Sequence, residues 1–115
     1  MSPIRIEHET RPVQILFHDT VIASTTQALK LQEGSYPPVY YIPRDHVEMA
    51  FLQESDRRTT CPHKGEARYW SISAGGYGAE NAVWAYDQPK EGAAEIAGHL
   101  AFYPDKVRIA VEGDA

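Results

Sequence analysis

The chain has 115 residues, 43% hydrophobic and 23% charged, with a formal net charge of −5. This is the size and make-up of one soluble domain, 1–115, and the acidic balance gives a nucleic-acid backbone no electrostatic support. A single cysteine excludes an internal disulfide framework and a multi-cysteine zinc site, and no apolar run approaches the ~20 residues needed to span a bilayer. The opening residues, MSPIRIEHET, carry no apolar signal core, so a cytoplasmic location is expected.

Ile4 and Ile6 alternate with Arg5 and Glu7, which predicts a half-buried strand. Val13, Ile15 and Phe17 predict a second strand, and Val21 to Ala23 continue it after a turn at Asp19-Thr20. Residues 25–32, TTQALKLQ, fit either helix or strand. Pro37 and Pro38 forbid helix, and Val39 to Ile42 read as a short strand that Pro43 stops. HVEMAFLQE reads as strand, with Asp56 and the arginines after it as a turn. EARYWSIS (66–73) puts Trp70 and Ile72 on one face and Tyr69 and Ser71 on the other. NAVWAY (81–86) puts Ala82, Trp84 and Tyr86 on one face. Gly75-Gly76 between them supplies the backbone freedom of a tight hairpin turn. Residues 88–103 then predict the longest helix: Pro89 suits a first turn, and Ala93, Ile96, Ala97 and Leu100 form an apolar stripe at helical spacing. Val107, Ile109 and Val111 alternate as a final strand. The expected class is mainly β (α+β) with one principal C-terminal helix.

Four stretches, SYPPVYYIPR, TTCPHKGEARYW, AVWAYDQP and IAGHLAFYPDKV, resemble in this order the family called domain of unknown function 427. The resemblance runs over roughly residues 3 to 112. It implies a β-tent-like complex of small antiparallel sheets. Zinc-binding relatives of that fold hold the metal with paired cysteines. This chain has no CxxC, so no metal and no cofactor are expected. The family also carries a nucleotidyltransferase-like label. Gly34-Ser35 is followed by Asp45 and Glu48, but there is no Asp-x-Asp to hold Mg²⁺ on a triphosphate and no GxxxxGK[ST] loop.

Three groups of residues carry candidate chemistry. Cys61 reads as a small buried hydrophobe, as a pocket wall beside Lys64, or as a thiolate activated by that cation. Arg44, Arg57, Arg58, Lys64 and Arg68 gather five of the eleven basic residues in mid-chain. They suit either a solvated face of weak ion pairs or an anion site. The motifs are also dense in tyrosine and tryptophan. Consecutive Tyr40 and Tyr41 must face opposite ways, and Trp70, Trp84 and Phe102 suit core positions. His99 reads as a partly buried structural histidine.

The reading that follows is a small-molecule or anion-binding domain with a pocket lined by Tyr41, Arg44, Cys61, Lys64 and Trp84. A small enzyme, thiol-dependent or nucleotide-acting, is the alternative, and a protein interaction module using exposed aromatics is a third. The partner expected is a small or anionic ligand, with no nucleic acid and no membrane. A homodimer is the one assembly considered.

Overall fold

The computed structural model describes residues 3–114, and among them ten strands form two antiparallel sheets. β2 (Val13–Phe17) buries Val13, Ile15 and Phe17 and exposes Gln14, the period-2 pattern of a strand with one covered face. It pairs with β3 (Thr20–Thr25) and β10 (Arg108–Val111) to make a three-stranded sheet. The larger sheet has seven strands. Its chain order begins with β1 (Ile4–Glu9), β4 (Ala28–Glu33) and β5 (Val39–Pro43). It continues with β6 (Leu52–Cys61), β7 (Gly65–Ala74), β8 (Tyr77–Tyr86) and β9 (His99–Phe102). In space the order is β1-β4-β5-β9-β8-β7-β6. No helix among the described residues is long and apolar enough to cross a membrane.

Strand alternation divides the larger sheet between two cores. Ile42, Trp70, Val83 and Phe102 face the small sheet and pack with Ile15 and Ile22. Their sequence neighbours Tyr41, Tyr69 and Ala101 face the other way and pack with Leu29, Leu31 and Tyr86. Tyr40 follows the same rule and rests, partly buried, on the first core. The second core is closed from above by the segment Glu91–Ile96, whose Ala93 and Ile96 are fully buried.

The expected hairpin forms, with β7 and β8 closing at Ala74↔Tyr77 over Gly75 and Gly76, at φ of 62° and 84°. The expected C-terminal helix does not. Residues 91–96 make only short 3₁₀ turns with a kink at Ala93, and the chain then turns at Gly98 into β9. The physical reason is tertiary. β9 fills the gap between β5 and β8 and supplies their backbone hydrogen-bond partners, a demand that outweighs the local apolar stripe. Leu100, counted in that stripe, lies in the first core, whereas Ala93 and Ile96 lie in the second. The implied β-tent-like complex of small sheets is likewise replaced by one seven-stranded and one three-stranded sheet. HVEMAFLQE becomes strand only from Leu52. Asp56 and the arginines after it lie within β6, not in a turn.

Candidate functional site

A cavity of about 220 Å³ opens on the second face of the larger sheet. Its floor comes from three central strands. Tyr41 is on β5, Tyr69 on β7, and Trp84 and Tyr86 on β8, each at a position whose alternation turns it to this face. Leu31 of β4 and Tyr103, just past β9, complete the wall. Tyr36 and Pro37, in the loop between β4 and β5, form the outer rim, where Tyr36 is 69% exposed. The Gln32 side-chain amide holds that loop by donating to the carbonyls of Gly34 and Tyr36.

A bulge decides which side chains meet. An unbulged hairpin closing at Ala74↔Tyr77 would set Tyr69 opposite Ala82. The register instead shifts between Trp70 and Ile72 and sets Tyr69 opposite Trp84. Asn81 takes φ of 49° at the shift. Its N–H donates to Ser71 Oγ at 3.1 Å, and its side-chain carbonyl accepts from Ser55 Oγ at 2.5 Å. These bonds satisfy groups that the interrupted ladder leaves free.

The turn after β6 builds the other wall. Gly65 has φ of 109°, and a Cβ there would stand 3.4 Å from the Gln88 carbonyl. The close approach lets Lys90 N–H donate to Lys64 O at 3.0 Å and Lys90 Nζ donate to Pro62 O at 2.8 Å. Lys64 then reaches across to β4, where its ammonium lies 2.9 Å from Glu33 Oε1. Both side chains line the cavity and are largely buried, at 13% and 19% exposure.

Polar and ring contacts tie the aromatic side chains together. Trp84 Nε1–H donates to Tyr41 Oη at 3.3 Å. The Trp84 ring meets Tyr41 edge-on at 6.3 Å and leans on Tyr103 at 4.5 Å. Tyr69 Oη is 2.8 Å from Thr59 Oγ1, and the Arg57 guanidinium lies 5.1 Å from the Tyr69 ring centre. Burial pushes Tyr41 and Tyr86 well above the ordinary phenol range. Burial and its hydrogen bond to Tyr69 push Tyr103 up to about 12. Burial raises Tyr69 too, but hydrogen bonds from Thr59, Tyr103 and Arg57 outweigh it and hold this hydroxyl below its usual value.

Of the residues expected to line one pocket, Tyr41, Lys64 and Trp84 come together here. Cys61 is partly buried against the same second core but is not on the cavity wall. Arg44 lies elsewhere: it is exposed in the turn Arg44–His46, with its guanidinium 5.9 Å from the Trp70 ring on the first-core side. The remaining basic residues are engaged as well. Arg58 and Arg68 lie 3.1 and 3.2 Å from the carboxylate of Glu54. Arg68 Nε also lies 2.9 Å from Asp87, close enough for an ion pair though outside hydrogen-bond geometry. The depression these residues share holds Glu54, Glu66 and Asp87 against two arginines, so its balance is acidic.

Glu33, Tyr69, Tyr86 and Tyr103 were missed as site residues by sequence reasoning. Face alternation grouped Ala82, Trp84 and Tyr86 and set Tyr69 opposite to Trp70; Trp84 and Tyr86 do share the second core's face, but beyond the bulge Ala82 lies in the first core. Only the bulge, which no residue pattern announced, joins Tyr69 to Trp84. His99 donates from Nδ1 to the Ala97 carbonyl at 2.9 Å, and Asp45 and Glu48 belong to the segment bridged to β3. Among the described residues no three His, Cys, Asp or Glu side chains converge closely enough to hold a metal ion.

No curated protein matches the chain. The sequence model of a family described as a domain of unknown function (DUF427) matches residues 5–113, nearly the whole length, and the chain belongs to that family.

Proposed function

We propose that this domain binds a small planar molecule in the tyrosine-lined cavity, with Tyr41, Trp84 and Lys64 among its contacts. One observation carries the reading: five tyrosines and a tryptophan converge on a formed space of about 220 Å³. An open recess walled by aromatic rings leaves apolar surface against water, and a ligand that covers that surface gains the free energy of its burial. Flat rings offer most to a flat ligand, through stacking and edge contacts. The largely buried Lys64–Glu33 pair adds a fixed dipole at one wall, which orients a polar substituent. The cavity is below the roughly 300–1,000 Å³ of drug-sized sites, so the ligand is small.

The two tryptophans make the test specific. Trp84 lines the cavity and Trp70 belongs to the first core on the opposite face. Titration with small aromatic compounds should quench intrinsic fluorescence in the wild type and in Trp70→Phe. The quenching should vanish in Trp84→Phe, with all three proteins still unfolding cooperatively. A response that survives in Trp84→Phe and disappears in Trp70→Phe would place the ligand elsewhere and end this reading.

A further inference from the structure

We propose that the Tyr69 hydroxyl is the donor that selects the ligand, and that the ligand is a small aromatic bearing an anionic oxygen, of the phenolate type. The proposal deepens the cavity reading and rests on it. A phenolic oxygen has two acceptor positions and one proton. At Tyr69 the Thr59 hydroxyl lies 2.8 Å away, a pair in which either oxygen can donate, and the proposal assigns Thr59 as the donor. The proton of Tyr69 is then the group left to give, on a wall of the cavity.

Charge supports the same direction. The Arg57 guanidinium, 5.1 Å from the Tyr69 ring centre, brings a positive charge to this end of the site, while the Asp105 carboxylate acts on Tyr103 beyond it. The other nearby cation, Lys64, is already matched by Glu33. The hydrogen bonds that hold Tyr69 below the usual phenol range make it a stronger donor to an oxyanion. Tyr41, by contrast, already accepts from Trp84 Nε1 and is held above that range by burial. An aromatic ring in the cavity, against the wall that Trp84 and the tyrosines form, with its oxygen at Tyr69, satisfies both halves of the site. Ring contacts bind the body, and a charge-assisted hydrogen bond fixes the oxygen.

The test uses 4-nitrophenol, whose absorbance reports its own ionisation, beside nitrobenzene, a neutral probe of similar shape. The wild type should bind nitrophenolate about tenfold more tightly than nitrobenzene, the preference that one hydrogen bond to a charged group provides. Tyr69→Phe should erase the preference and leave nitrobenzene affinity within about twofold. Arg57→Gln, an exposed change that spares the core, should reduce the preference without abolishing nitrobenzene binding. If nitrobenzene binds as tightly as nitrophenolate, or the preference survives Tyr69→Phe, the oxyanion assignment is overturned while the cavity remains a ligand site. Binding of neither probe overturns both.

Discussion

Tyr69 and Trp70 are adjacent in the chain and serve opposite faces of one sheet. Trp70 helps seal the first core, with Arg68 4.7 Å from its ring, whereas Tyr69 lines a cavity. Alternation made that division legible, and it placed Tyr41 and Tyr40 on opposite faces in the same way. Partnership was less legible. Lys64 looks free in the sequence, three positions after Cys61, but its ammonium is taken by Glu33 from thirty-one residues earlier. A contact of that span depends on which strands are neighbours, not on local pattern. The tyrosines carry a prediction at this scale. Tyr41 and Tyr86 lie above the ordinary value near 10, and Tyr103 lies at about 12. The unfolded chain therefore releases these protons first. Between pH of about 10 and about 12 the folded state binds more protons than the unfolded one, so stability should fall as pH rises. Tyr69, shifted downward, opposes the trend in part. Urea unfolding across this range should show the decline, and Tyr103→Phe should make it shallower. A wild-type midpoint that stays flat from pH 10 to 12 would show that these hydroxyls are not held as described.

At the scale of elements, the strands were readable wherever one face was covered and the other wet. β2, β5 and the β7–β8 hairpin came directly from alternation and from Gly75-Gly76. The segment 88–103 reads as helix because Ala93, Ile96, Ala97 and Leu100 match helical spacing, but Ala93 and Ile96 belong to the second core, Leu100 to the first, and Ala97 is exposed. Helical periodicity cannot reveal that a sheet still lacks a strand. The turn joining β6 to β7 shows the reverse, a local residue with a tertiary reason. Gly65 and Gly76 both have positive φ, but only Gly65 also faces a neighbouring backbone at 3.4 Å. Gly76→Ala should therefore cost roughly 1–2 kcal/mol from conformation alone. Gly65→Ala should cost more than Gly76→Ala, and it should also weaken aromatic binding by moving the Lys64 wall. Chemical denaturation of both variants checks the order. Equal losses would mean that the approach to Gln88 constrains nothing.

For the whole molecule, the two cores divide the work. The first, between the sheets, contains Phe102, Ile72 and Val83, all 2% exposed or less. Burying large apolar side chains on that face is the main source of stability. The second core is smaller and richer in tyrosine, and it is incomplete where the cavity opens. Tyrosine suits an incomplete core because its ring packs while its hydroxyl finds a partner. This incomplete face is the one on which we propose that a ligand binds. The most direct measurement is a crystal structure of the protein soaked with 4-nitrophenol at a concentration that saturates binding in solution. The expected result is ring density in the cavity lined by Trp84 and Tyr41, with the phenolate oxygen within hydrogen-bond distance of Tyr69 Oη. Density on another surface, with the tyrosine cavity empty, would contradict the assignment of this cavity as the binding site.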